Sequence, residues 1–334
     1  MQLWQSRRRF PKHLDALSHG VRRSRCIVGA GYSRWLVLFV SLLPATPFAQ
    51  VPNRAPAAKT SKTQVVMLGT GTPGFDITRS GPATAIVVNG TAYLVDFGAG
   101  VMRRAQGAYE KGVAALNPPE IHVVFLTHLH QDHTTGYPDL IYSPLDRKGP
   151  LEVYGPEGIR HMTEHLIEAY TVRRPLSRRG NPDVQVNVHE ITAGVVYKDN
   201  NVTVTAFPVK HRDNVAYGYR FQTADRSIVI SGDTSPAEGI VENCNGCDVL
   251  IHEAYSVFTC NSLAPEDQAA ERTLHASSLQ LAEIARKARP GLLILYHRSG
   301  IGVRRNMNPG DVLLKEIRAV YKGKVVTGHD LDIY

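Results

Sequence analysis

Three imidazoles and a carboxylate fall within six residues at His128-Leu129-His130-Gln131-Asp132-His133. Neutral imidazole nitrogen and carboxylate oxygen are the donors taken by zinc and similar borderline cations. The chemistry this segment could do is therefore metal-assisted. It directly follows Val123-Val124-Phe125-Leu126-Thr127. An apolar run ahead of a polar cluster reads as a buried strand that ends and delivers the cluster at its tip. His128 and His130 are two apart, so on extended backbone they point to the same side. Asp132 and His133 come where the chain turns away into Thr134-Thr135-Gly136. A histidine-rich surface loop would not need an acid and a third histidine at ligand spacing.

Stepping along the chain gives the elements that must hold this segment. Gln64–Leu68 reads as a strand that turns sharply at Gly69-Thr-Gly71-Thr-Pro73-Gly74. That turn lacks the Lys-Ser/Thr of a phosphate-binding loop and the spacing of a dinucleotide fingerprint. Ala83–Val88 and Ala92–Val95 form a hairpin across Asn89-Gly90, a strong two-residue turn signal. A helix follows from Val101 to about Gly112, then the motif strand, then a strand at Leu151–Tyr154. Glu157–Tyr170 has Ile159, Met162, Leu166, Ile167 and Tyr170 at helical spacing. His161 and His165 lie four apart on that helix; with no acid assigned beside them, they read as surface histidines. Arg173, Arg174, Arg178 and Arg179 make a basic loop, ordinarily a solvated one, that could steer an anion.

Further strands cover Val184–Ile191, Val202–Ala206, Ser227–Ile230, Asp248–Ile251 and Gly291–Leu295. Four of these run into polar residues: His211, Asp233, His252-Glu253 and Tyr296-His297. A helix from Ala276 to Ala288 is preceded by Leu274-His275, and Asp311–Tyr321 and Lys324–Thr327 read as a last helix and strand. A helix N-cap is the plainer role for Asp233, and its place among the other candidates makes that role the weaker reading. The candidates recur at the carboxyl ends of strands.

The run H-x-H-x-D-H is the motif of the metallo-β-lactamase superfamily, which the chain resembles from about Gln64 to Tyr334. The resemblance implies an α/β fold, a four-layer αββα sandwich. It implies a ligand set of His128, His130, Asp132, His133, His211, Asp233 and His297, shared between two Zn²⁺ ions, with Mn or Fe as other occupants. His128, His130 and His211 would hold one ion, Asp132, His133 and His297 the other, and Asp233 both. Such a pair brings a water's pKa near neutrality and counters charge on a tetrahedral transition state. The flavodiiron oxidoreductases of the superfamily carry a glutamate where this chain has His130, which disfavours electron transfer.

Ser231-Gly-Asp-Thr234, Ile251-His-Glu-Ala254 and His275-Ala-Ser277 resemble, in order, the later motifs of the ribonuclease Z branch. That resemblance makes Glu253 and His275 a relay protonating the leaving oxygen; Asp132 is expected to be catalytic as well as a ligand. Ala276 departs from the serine usual there, which touches secondary detail and not the ligands. Gly71-Thr-Pro73 with Arg79-Ser80-Gly81-Pro82 resembles the arylsulfatase-like subgroup of the same branch. The first expectation is thus an exported hydrolase of a small anionic ester, aryl sulfate or phosphodiester. A transfer-RNA 3′-end endonuclease is the alternative; a lactonase or β-lactamase, or a non-catalytic metal protein, is weaker. Residues 155–201 lack the long glycine-rich arm with which such nucleases grip transfer RNA. Relatives often pair, which makes a homodimer an expected assembly.

Charge and cysteines bound the rest. The chain has 334 residues, 43% hydrophobic, with a formal net charge of +8. Residues 1–49 hold eight Lys/Arg and one acid, so only a single surplus charge is left for the remainder. The basic balance belongs to this leader, and nucleic acid is disfavoured as a partner because backbone binding wants cations on the folded part. Trp35–Leu43 is an apolar run with basic residues before it and small ones after, the layout of a signal peptide. It is short for a membrane span, so no stable span remains after cleavage. The expected location is periplasmic or secreted. Residues 50–63 read as a linker and 64–334 as one hydrolase domain. Beyond Cys26 of the leader, Cys244, Cys247 and Cys260 remain. One disulfide and one free thiol are the expectation in an oxidising compartment, and a lone C-x-x-C does not make a structural zinc site.

Overall fold

The structure is a computed structural model, and it describes residues 63–144, 146–171, 185–299 and 309–334. The leader, nearly all of the linker and the arginine-rich loop at 173–179 lie outside the described residues.

The first half runs β1 (Gln64–Gly69), β2 (Ala83–Val88), β3 (Thr91–Val95), α1 (Val101–Glu110), β4 (Val123–Phe125), α2 (Gln131–Thr134), α3 (Tyr137–Tyr142), β5 (Leu151–Gly155), α4 (Ile159–Thr171) and β6 (Val186–Glu190). Its strands make one sheet in sequence order, antiparallel from β1 to β3 and parallel from β3 to β6. The second half runs β7 (Gly194–Lys198), β8 (Thr203–Pro208), β9 (Tyr217–Gln222), β10 (Ser227–Ile230), α5 (Glu238–Cys244), β11 (Val249–Tyr255), α6 (Val257–Cys260), α7 (Pro265–Leu274), α8 (Ser278–Ala288), β12 (Leu292–Ser299), α9 (Pro309–Val320) and β13 (Val325–Thr327). These strands too lie in sequence order, antiparallel from β7 to β10 and parallel from β10 to β13.

Strand periodicity sorts the apolar side chains into layers. On β1, Val65 and Met67 join a core between the sheets, while Val66 and Leu68 join a core under the first-half helices. On β12, Ile294 and Tyr296 face the inter-sheet core, and Leu293 and Leu295 face the helices of the second half. Alternate residues of a strand point to opposite faces, so strands apolar on both faces must be covered on both. That is the four-layer αββα sandwich expected from the motif.

Three local departures matter. β7 was not anticipated; its residues are mostly exposed and give no apolar alternation to read. α6 and α7 were not anticipated either. α6 is a single turn, and α7 buries only Glu271, so neither carries a hydrophobic stripe. α8 begins at Ser278, with Ser277 as N-cap accepting from Gln280 N and Gln280 returning the bond, a capping box. The three downstream cysteines resolve into a Cys244–Cys247 disulfide and a buried free Cys260. Among the described residues no helix is long and apolar enough to cross a membrane.

Candidate metal centre

The apolar strand β4 ends at Phe125, and Leu126-Thr127 carry the chain to the histidine segment. His130 then caps the single turn α2, which holds Asp132 and His133. The second sheet brings up the rest. His211 follows β8 and Asp233 follows β10. Glu253 lies on β11 and His297 on β12, both strands being longer than the sequence pattern implied. The β11–β12 register shifts after Glu253, so Tyr296 and Arg298 are paired but His297 between them is not. His297 has φ 40°. An extra residue in a ladder re-aims its side chain, and here it turns His297 toward the nest. Asp233 lies ahead of α5 and is not its N-cap, which is Ala237.

All seven sequence-derived ligands converge. The donor atoms of His128, His130 and His211 lie within 4.8 Å of one another, as do those of Asp132, His133 and His297. Asp233 groups with His128 and His133. Its Oδ1 is 3.4 Å from His133 Nε2, and its Oδ2 is 3.2 Å from His297 Nε2 and 4.0 Å from His128 Nε2. One carboxylate therefore touches both groups. Gly232 makes this approach possible: it has φ 61°, and a Cβ there would stand 2.9 Å from Thr127 Cβ.

The far side of each ring is tied to the protein. His133 Nδ1 donates to Asp96 Oδ2 at 2.8 Å, and His211 Nδ1 to the Leu274 carbonyl at 2.8 Å. His128 Nδ1 meets Thr127 Oγ1 at 3.0 Å, and that hydroxyl is 3.0 Å from both Asp96 oxygens. His130 Nε2 faces Asn214 Nδ2 at 3.1 Å. Such outer bonds fix the tautomer and turn the lone pair of the other nitrogen inward. Asp96 was missed as a functional residue. The available signal was a carboxylate at the end of an apolar strand, Ala92–Val95, whose parallel neighbour carries the motif.

The donor set fits cations. His128 Nε2, His133 Nε2 and Asp233 Oδ1 are buried without a hydrogen-bond partner. Burial holds the His128, His130 and His211 imidazoles below their usual pKa, in the neutral form that ligates. Burial opposes charge on His133 and Asp233 as well. It is overridden: Asp233 and Asp96 push His133 well above the usual imidazole range, and His297 and His133 hold Asp233 well below the usual carboxylate range. A buried space flanked by Asp96, Asp132 and Asp233 demands positive charge, which a proton or a metal cation can meet.

Beside the nest stand Glu253 and His275. Glu253 is fully buried and its Oε1 accepts from Thr234 N at 3.2 Å and Ala276 N at 3.0 Å. Its Oε2 lies 3.4 Å from His275 Nδ1. The residue-276 contribution is a backbone N–H, so alanine in place of serine leaves it intact. His275 Nδ1 is 4.0 Å from Asp233 Oδ2. Burial alone would lower the His275 pKa; the Glu253 carboxylate outweighs it and pushes the imidazole up to about 10. The His161–His165 pair of α4 lies outside this cluster.

A beta-lactamase superfamily domain matches residues 91–298. The chain belongs to the metallo-β-lactamase superfamily. Within it, the ribonuclease Z of Mycobacterium sp. (strain KMS) is 34% identical over 246 residues, covering 70% of this chain and 83% of that protein. The ribonuclease Z of Mycolicibacterium gilvum is 31% identical over 244 residues with the same coverages. The ribonuclease Z branch read from the motifs is thus shown by kinship. Among solved structures, the human short-form tRNase Z superposes with a TM-score of 0.60 at 25% identity, over 81% of this chain and 98% of its own. A metallo-β-lactamase fold protein of Bacillus subtilis gives 0.62 at 19% identity, over 82% and 99%, a likeness of fold. The superfamily member described here is a metal-dependent hydrolase of ester bonds.

Proposed function

We propose that the chain is a two-zinc phosphodiester hydrolase of the ribonuclease Z kind. The observation that carries this is the Glu253–His275 pair, 3.4 Å apart at the edge of the histidine–aspartate nest. Kinship to ribonucleases Z supports it and favours the nuclease alternative over the small-ester expectation. His128, His130 and His211 would hold one cation, Asp132, His133 and His297 the other, with Asp233 reaching both. Bound there, the cations would supply an acidified water and neutralise charge on the phosphoryl oxygens.

The residues do the remainder. Asp132 is placed to orient a proton of the attacking water as well as to ligate. His275, kept protonated by Glu253, is placed to give its proton to the leaving oxygen, which would otherwise depart as an alkoxide. Glu253 is held by two backbone N–H groups, so its carboxylate stays aimed at His275 as that proton leaves. Thr127, Asp96, Leu274 and Asn214 keep the ligand rings oriented. The composition of the leader supports an exported location.

A small ester remains the second reading, favoured by the near-neutral charge of residues 50–334 and the missing glycine-rich arm. The deciding experiment assays purified protein side by side on precursor transfer RNA, a bis-aryl phosphate and an aryl sulfate. Cleavage of both phosphodiesters above the sulfate is expected. Turnover of the sulfate alone would overturn the phosphodiesterase reading.

A further inference from the structure

We propose that the exposed face of α4 carries a second, separate transition-metal site, built on His161 and His165 and flanked by Glu168. At about 100° per residue, positions 161, 164, 165 and 168 fall on one stripe of the helix. That stripe reads His-Glu-His-Glu, and all four residues are exposed. The opposite face is apolar: Ile159 is buried in the core under the first sheet's helices, with Met162 and Leu166 packed against it. Thr163 Oγ1 donates to the Ile159 carbonyl at 2.7 Å and meets Tyr137 OH at 2.8 Å. The helix is thus a fixed platform, and a site on a fixed helix holds its donors in register.

The geometry supplies what the bare spacing lacked. The His161 and His165 rings stand edge to face, with centroids 4.2 Å apart and planes at 82°. Histidines four apart on one helix face are the chelating arrangement of metal-binding helices. An acid is also present: Glu168 Oε2 lies 3.4 Å from His165 Nδ1. Imidazole suits Zn, Cu and Ni, whereas Mg is served by oxygen ligands. The ligand class is therefore an imidazole-preferring divalent cation, with water completing its coordination. The His165 and Glu168 side chains are 61% and 74% exposed, so the site is an exchangeable one at the surface and no part of the fold depends on it.

The test uses the full-length protein, first saturated with Zn²⁺ and freed of excess, then dialysed to equilibrium against Ni²⁺ while zinc content is followed. The wild type should take up one further equivalent of nickel with no zinc released. The double variant His161→Gln/His165→Gln should lose that equivalent while keeping its zinc and its hydrolytic rate, and Glu168→Gln should weaken it. Mg²⁺ in place of Ni²⁺ should give no uptake. The proposal is overturned if the wild type takes up no extra nickel, if zinc leaves as nickel enters, or if the double variant binds as the wild type does. The substrate reading is tested separately, by the side-by-side assay on precursor transfer RNA, bis-aryl phosphate and aryl sulfate, so its failure and the failure of this proposal are distinguishable.

Discussion

The two sheets supply the metal nest in opposite ways. The first gives His128, His130, Asp132 and His133 from one short segment after β4, whereas the second gives His211, Asp233 and His297 from three separate places. The first group is set by local geometry: an extended stretch followed by one helical turn. The second depends on strand order and register, because β8, β10 and β12 must lie in the order the sheet gives them. The segment from the first sheet supplies its donors two at a time, and each such group of three is completed by His211, Asp233 or His297 from the second half. The Glu253–His275 pair also comes from the second half, Glu253 from β11 and His275 from the end of α7.

The largest expected effect comes from cutting the link between the halves. Asp233→Ala should reduce metal content by elemental analysis to about half or less, and hydrolysis should collapse with it. Full occupancy in that variant would show that the first segment and two outlying histidines suffice, and the contrast between the halves would fail. Next, His275→Ala should keep its metal and slow alkyl phosphodiesters by about 10²-fold or more. Nitrophenyl esters should be slowed less, since their leaving group needs little help. Equal slowing of both would remove the acid from the second sheet's contribution.

A smaller effect is expected within the first half. Asp96→Asn weakens the partner of His133 Nδ1 and of Thr127, and should lower metal affinity by about 10–100-fold, read by chelator competition. An unchanged affinity would mean that the segment after β4 orients itself. The smallest effect is a shift of pH profile. Burial lowers the His275 pKa, but Glu253 raises it past its usual value, to about 10. A raised pKa keeps the acid protonated to higher pH, so its contribution is present below that pKa and lost as pH rises through it. Glu253→Gln removes the main raising influence, so the alkaline limb of the pH–rate curve should move to lower pH. A limb that stays in place would assign it to another group.

Much of this was legible without coordinates. His211 and Asp233 were found as strand-end residues that the family resemblance made ligands, and the structure places each just after its strand. Glu253 and His275 were found by motif order. Asp96 was not found, since a carboxylate beside a glycine looks like any strand-end turn until His133 Nδ1 is seen 2.8 Å away. The extension of β11 and β12 was also hidden: polar residues at 252, 253 and 297 read as strand ends, yet His252 and Glu253 remain in the ladder and pairing resumes at Arg298 beyond the unpaired His297. The α4 histidines read as plain surface residues, because the orientation of Glu168 depends on a rotamer and not on spacing.

By itself the sequence determined the donor types, the contiguous half of the nest and the layering, since these follow from local backbone geometry and period-two burial. Tertiary structure decided which carboxylate stands between the two groups of ligands, how a bulge swings His297 inward, and which acid holds His275. Those facts depend on the register between strands distant in the chain, and register is a property of pairing that no single stretch of residues contains.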